Sequence, residues 1–200
     1  ADWSGASYWY QMAAMAENCE IFLENLKLES LQGDAKIAEW FEVFGVKSEQ
    51  HSEGVLIFRN EHTRPEKLNL DFIQNPDVAQ TFACLCVAKK VPFHFTGLKT
   101  LKIKETDRIA ALQNELYKFG AGLTEPKHGE LAWNGKLDDS KLKTIPEIQT
   151  YHDHRMALAF APVAMADYKL KIKDPEVVSK SYPHFWKDLE QVGFKIVKSN

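Results

Sequence analysis

The chain is 200 residues long, 44% hydrophobic and 26% charged, a composition that supports a packed core and excludes a disordered chain. Twenty-five basic against 28 acidic residues leave a formal net charge of -3, so the whole-chain field argues against a nucleic-acid partner, and any anion must be held by a local cluster. Three cysteines, Cys19, Cys84 and Cys86, without a C-x-x-C pair argue against a disulfide scaffold or zinc ribbon and for a reducing cytoplasm. The longest uncharged apolar stretch, 156–166, contains Pro162 and is too short to cross a membrane.

In chain order, the sequence opens without an initiator methionine on ADWSGASYWYQMAAMAEN. This reads as a capped helix with no lead-in, and so as a piece cut from a longer protein. Asp2 precedes its small-residue apolar run, and the same arrangement returns at Asp77 before VAQTFACLCVA and at Asp153 before HRMALAFAPVAMA. A second helical pattern follows each of these and stops at a glycine: Gly45, Gly120 and Gly193. Counting back one, four and eight places gives Phe44, Phe41 and Ile37, then Phe119, Leu116 and Leu112, then Val192, Leu189 and Phe185. Each set is one apolar stripe at helical period, closed by a residue that tolerates a left-handed cap. Strand-like text lies between the paired helices (CEIFLENLKLES, VPFHFTGLKTLKIK, YKLKIK) and after the glycines (GVLIFRN, GELAWNG), with HSEG and KHGE as turns. The third copy ends early, on FKIVKSN. The predicted fold is α/β (α+β): three β-α-β-α-β-β units at about 1–67, 68–137 and 138–200 that form one domain.

Chemistry-bearing residues gather at the predicted helix starts. Lys104, Glu105, Thr106, Asp107 and Arg108 open the second helix of the middle copy. There Lys104 and Arg108, four apart, and Glu105 and Arg108, three apart, share a face. Cations at a helix N-terminus oppose the macrodipole; an anion resting on the free N–H groups makes sense of them, while a solvated charge run is the alternative. Tyr151, His152, Asp153, His154 and Arg155 open the first helix of the third copy. The His-x-His spacing is not the i, i+4 of helical metal ligands, so no metal is expected. Asp153 reads instead as an N-cap, with Arg155 aimed at an anion. Asp77, after Asn75 and Pro76, is open to reading as an ordinary cap. Lys180, in SKSYPHFW, starts the last helix thirteen places before Gly193, close to the place of Arg108 twelve before Gly120. If rotation relates the copies, these termini converge on one anion-rich pocket. The first copy carries the less cationic Gln32, Gly33 and Asp34 there and reads as scaffold. Trp9, Trp40 and Trp186 fall on helical stripes and read as core, and without a glycine-rich phosphate loop nucleotide binding has no support.

KETDR, TYHDHRMALAF and DPEVVSKSYPHFW, in this order and spacing and with QGD, NPDVAQT and DWSGASY, resemble the 5-enolpyruvylshikimate-3-phosphate synthase (3-phosphoshikimate 1-carboxyvinyltransferase) family. The resemblance covers essentially the whole chain but only the C-terminal part of a family member. It implies a two-domain enolpyruvyltransferase fold of which this is one domain, the second domain, the N-terminal half of the same protein, being absent. The implied reaction, in the cytoplasm and without metal or organic cofactor, belongs to the shikimate pathway of chorismate and aromatic amino acid biosynthesis. It transfers the enolpyruvyl group of phosphoenolpyruvate to the 5-hydroxyl of shikimate 3-phosphate and releases phosphate. By resemblance Asp77 is the base and a shikimate 3-phosphate ligand, Glu105 donates and accepts the second proton, and Lys104 contacts the shikimate side. Arg108, Arg155 and Lys180 hold the phosphate and carboxylate of phosphoenolpyruvate, with His154 beside them. Thr100 stands where some members carry an Asn for the shikimate phosphate. With one wall missing, Lys104, Arg108, Arg155 and Lys180 are expected to face solvent and the piece alone to be inactive. The rival reading is a non-catalytic anion-binding module that kept the fold; Asp77 and Glu105 speak against it, since anion binding alone has no use for carboxylates there.

Overall fold

In the computed structural model, which describes residues 2–141 and 143–198, three inner helices set the plan. Helix α1 (Trp3–Met15) starts where the Asp2 carboxylate accepts from the backbone N–H of Ser4 (3.2 Å) and Gly5 (2.9 Å), the usual role of Asp at an N-cap. Helix α3 (Ala79–Ala88) follows a 3-10 turn at Pro76–Val78, and α5 (His154–Phe160) runs on into a 3-10 segment, Ala161–Ala166. All three are rich in Ala and other small residues and buried on nearly every side, the pattern of a helix enclosed by the rest of its domain. Two polar contacts join them: Ser7 to Thr81 (3.0 Å), and the Gln11 side chain donating to the Ala159 carbonyl (3.0 Å).

The outer layer alternates sheets with the second helices, α2 (Ile37–Trp40), α4 (Arg108–Tyr117) and α6 (Phe185–Gln191). Strands β1 (Cys19–Glu24), β2 (Val46–His51) and β3 (Gly54–Arg59) form an antiparallel sheet in the order β1-β3-β2, with Cys19 and Val46 both opposite Arg59. In the next sheet β4 (Leu68–Asp71) runs parallel to β5 (Phe93–Thr96), which pairs antiparallel with β6 (Leu131–Trp133). Two short strands, β7 (Glu147–Ile148) and β8 (Lys171–Ile172), make a parallel pair. Among the described residues no helix is long and apolar enough to cross a membrane.

The glycine stops stand as predicted: Gly45, Gly120 and Gly193 have φ of 80°, 88° and 101°. At Gly120 a Cβ would also run into the Asp138 backbone, so glycine is needed there for space as well as for φ. Of the stripe residues, Ile37, Phe41, Phe44, Leu112, Leu116, Phe119, Phe185 and Leu189 are buried, and Trp40 packs edge-on to Phe72 and Phe82. Val192 is the exception at 54% exposure; it lies past the end of α6, and no strand follows among the described residues to cover it.

Several local expectations are corrected. The full six-element pattern is closest to complete in the middle copy, where the strand after α4 is reduced to isolated bridges, Ala121 to Leu137 and Thr124 to Ala132. The first copy has no strand ahead of α1 and the third none after α6 among the described residues. LKTLKIK is a 3-10 turn, Lys99–Ile103, not a strand. Leu98 and Leu101, three apart, are both buried, and that spacing suits three residues per turn. Helix α4 begins at Arg108, because the Asp107 carboxylate caps it by accepting from Ala110 N–H (3.1 Å). Lys104 and Glu105 therefore lie in the preceding loop and share no helical face with Arg108. Lys180 ends a 3-10 turn, Pro175–Lys180, ahead of α6. A proline disfavours the α region in the residue before it, and with Pro183 in place α6 starts only at Phe185.

Candidate active site

The starts of α3, α4 and α5 meet in one ion-pair cluster. Asp77, in the turn that leads into α3, makes no capping bond. Its Oδ1 accepts from Arg108 Nη1 (2.9 Å) and faces Lys104 Nζ (3.4 Å). Its Oδ2 accepts from Arg155 Nη2 (3.1 Å), and Arg155 Nη1 donates to the Asp77 carbonyl (3.3 Å). The capping alternative for Asp77 falls, because both carboxylate oxygens are taken by cations from elsewhere in the chain.

Arg108 is the hub. Its Nε donates to Asp153 Oδ2 (2.6 Å), and its Nη2 donates to Asp153 Oδ1 (3.3 Å) and Glu105 Oε2 (2.7 Å). Asp153 is wholly buried and also caps α5, accepting from Arg155 N–H (2.9 Å). One carboxylate thus fixes both the Arg108 guanidinium and the helix that carries Arg155. The expectation of solvent-facing cations is corrected for these two: the side chains of Arg108 and Arg155 are 2% and 14% exposed. Guanidinium groups matched by carboxylates can be buried where lone ones cannot. Lys104 stays partly open, and Lys180 is exposed, its Nζ 3.3 Å from the His152 carbonyl that accepts from it.

Burial alone would push the Asp77 carboxyl up, but the charges of Arg155, Arg108 and Lys104 outweigh it and hold the group below its ordinary range. Glu105 is also held low, first by its own backbone N–H and then by Arg108, His154 and Arg155. Partial burial, helped by the Arg155 charge, lowers His154 against the pull of Asp153 and Glu105. Its Nδ1 is enclosed, without a hydrogen-bond partner among the described residues. Behind Arg155, burial pushes the Tyr8 hydroxyl up to about 12 against the pull of that guanidinium. Asp34, from the copy read as scaffold, accepts from Ser4 Oγ and is raised by burial.

Lys104, Arg108 and Arg155 face Asp77, Glu105 and Asp153, so the ionised cluster is close to charge balance. The carboxylates differ in how easily they can be displaced: the Glu105 side chain is 40% exposed and that of Asp153 0%. Of the three carboxylates on Arg108, Glu105 is the most exposed. Of the residues singled out in the sequence, Asp77, Lys104, Glu105, Arg108 and Arg155 are in direct contact, while His154 and Lys180 lie at the margin. Thr100 is exposed on the Lys99–Ile103 turn. Missed were the grip of Asp153 on Arg108, 45 residues away, and the burial of Tyr8 behind Arg155; neither leaves a local sequence signal. No group of three or more His, Cys, Asp or Glu arranged to hold a metal occurs among the described residues.

An EPSP synthase from Acinetobacter baumannii has the same fold, with a TM-score of 0.79 at 22% identity over 98% of this chain and 47% of that one. The enolpyruvyl transferase NikO from Streptomyces tendae matches with a TM-score of 0.62 at 13% identity over 96% of this chain and 43% of that one. The fold is therefore that of the enolpyruvyl transferases. Within that class, the sequence model of EPSP synthase (3-phosphoshikimate 1-carboxyvinyltransferase) matches residues 1–189. A 3-phosphoshikimate 1-carboxyvinyltransferase of Bacteroides fragilis is 47% identical over 196 residues, 98% of this chain and 47% of that protein. The chain belongs to the EPSP synthase family, and it spans about half the length of the curated relatives it matches.

Proposed function

We propose that this chain is the C-terminal half of a 3-phosphoshikimate 1-carboxyvinyltransferase and supplies one wall of its active site. In this reading residues 1–67, 68–137 and 138–200 are the three repeats of one domain, and the N-terminal half of the same protein is the partner that closes on it. The enzyme moves the enolpyruvyl group of phosphoenolpyruvate to the 5-hydroxyl of shikimate 3-phosphate and releases phosphate, without metal or organic cofactor. The three free cysteines favour a reducing compartment, the cytoplasm in this reading.

The observation that carries the proposal is the Asp77 carboxylate held between Arg155 and Arg108, with Lys104 beside it and Glu105 on the far edge of Arg108. Arg108, Arg155 and Lys180 take the phosphate and carboxylate of phosphoenolpyruvate, His154 lies next to them, and Lys104 serves the shikimate side. While paired with cations, Asp77 and Glu105 are poor proton acceptors. Once the substrate's oxyanions engage those cations, both carboxylates regain basicity. Asp77 then takes the hydroxyl proton as the oxygen attacks C2 of phosphoenolpyruvate. Glu105, its affinity for protons restored, takes one up from solvent and delivers it to the methylene carbon as the C2–C3 double bond opens and the new C2–O bond forms. It then takes a proton back as the C2–O bond to phosphate breaks, and the departing phosphate receives the proton held by Asp77. The test is phosphate release from the two substrates, measured for the full-length protein carrying this chain and for the 200-residue chain alone. Turnover is expected only from the former.

A further inference from the structure

Outside the ion cluster, a buried carboxylate with both oxygens partnered is Glu115, on α4 two turns beyond Arg108 and 1% exposed. Its Oε2 accepts from Lys118 Nζ (2.5 Å) and from the backbone N–H of Gln149 (3.0 Å), and its Oε1 from the Tyr151 hydroxyl (2.8 Å). Lys118 also donates to the Glu147 carbonyl (2.7 Å). These bonds tie α4 to the stretch between β7 and α5. That stretch is strained: Tyr151 and His152, both with a Cβ, stand in succession at φ of 54° and 58°. Left-handed backbone at such residues persists only where the surroundings over-determine it. Asp153, His154 and Arg155 follow directly, and the His152 carbonyl is the acceptor for Lys180. Helix α4 thus grips the 149–155 segment twice, with Glu115 at Gln149 and Tyr151 and with Arg108 at Asp153.

We propose that Glu115 is a positioning residue for the transferase reaction, acting through Gln149 and Tyr151 to hold the left-handed 151–152 turn that sets Arg155, His154 and the anchor of Lys180. The inference rests on the reading that these residues bind phosphoenolpyruvate. Shape alone does not supply the function, because the buried carboxylate is acceptor-only and meets three donors. An amide of the same size brings two donors of its own into that site.

The test uses the full-length protein with Glu115→Gln and, separately, Tyr151→Phe, measuring thermal unfolding, kcat and the KM of each substrate. A displaced turn is expected to raise the KM for phosphoenolpyruvate by about ten- to a hundredfold in Glu115→Gln, the scale of a misplacement near 1 Å. The KM for shikimate 3-phosphate rises less, since Lys104 is not on the segment and Asp77 keeps Arg108 and Lys104 when Arg155 is displaced. Tyr151→Phe shifts the same constant in the same direction by less, and it carries the decision alone if Glu115→Gln does not fold. No change in either KM, or an equal rise in both, overturns the proposal and leaves Glu115 a fold-stabilising residue. Absence of phosphate release from the unmutated full-length protein is a different failure: it sinks the reading of function, and this inference with it.

Discussion

Replacing Asp153 by Asn isolates the buried contact on which the cluster is built. The carboxylate is fully enclosed and receives two bonds from an Arg108 side chain that is itself 2% exposed. Breaking a buried pair by removing one partner typically costs about 3–5 kcal/mol, because the remaining charge is left uncompensated. Arg108 keeps Asp77 and Glu105 after the change, so the low end applies, about 3 kcal/mol. Asn is as good an N-cap as Asp, so the bond to Arg155 N–H survives and the start of α5 is not confounded with the ion pair. For a chain of this size about 3 kcal/mol corresponds to a fall in melting temperature of roughly 6–12 °C. Asp153→Ala, which removes the cap as well, is expected to lose about 1 kcal/mol more. The assay is thermal unfolding of the chain followed by circular dichroism. An Asn variant melting within about 2 °C of the unmutated chain would refute the argument, since Arg108 would then be held without Asp153.

Arg108→Lys in the full-length protein should weaken phosphoenolpyruvate use although the charge is kept, because an ammonium cannot reproduce the planar fork that reaches Asp153, Asp77 and an oxyanion together; unchanged KM and kcat would remove Arg108 from the site. Stability should also depend on acid in a set direction. Asp77 and Glu105 are held below their ordinary values of 3.8 and 4.5, so their contribution is complete above those values and is lost as pH falls through the lower folded-state values. The melting temperature should therefore drop below about pH 4.5, and drop less in Asp77→Asn; the same drop in both would contradict the pairing.

The parts of this fold that could be read from sequence are those whose cause is local. Asp before a small apolar run predicts a capped inner helix, and this holds at Asp2 and Asp153; stripes that end on Gly45, Gly120 and Gly193 predict the outer helices, although in the first copy Phe41–Phe44 forms a 3-10 segment after only one α-helical turn. The failures come where two local signals compete or where the cause is distant. KETDR offers two acids, Glu105 and Asp107, between its two cations, and Asp107 wins the cap, which moves Lys104 and Glu105 off the helix. LKTLKIK has strand-like composition, but Leu98 and Leu101 need the same side of the chain. At Asp77 the local rule for a cap is satisfied, yet three cations outbid the backbone N–H groups. The charged residues of the site were visible one by one, but their pairing was not. Arg108 with Asp153, and Glu115 with Tyr151, are contacts across 45 and 36 residues, and nothing in either neighbourhood names the partner.

In the proposed function the Asp77 carboxylate, bracketed by Arg155 and Arg108, is the base of a carboxyvinyl transfer completed by a second half. The most direct measurement is phosphate release from phosphoenolpyruvate and shikimate 3-phosphate by the full-length protein, by its Asp77→Asn variant and by the 200-residue chain. Turnover is expected from the full-length protein, a loss of roughly 10²–10⁴-fold in kcat in Asp77→Asn with substrate binding less affected, and none from the chain alone. An Asp77→Asn variant within a few-fold of the unmutated enzyme, or a chain that turns over by itself at the full-length rate, would contradict it.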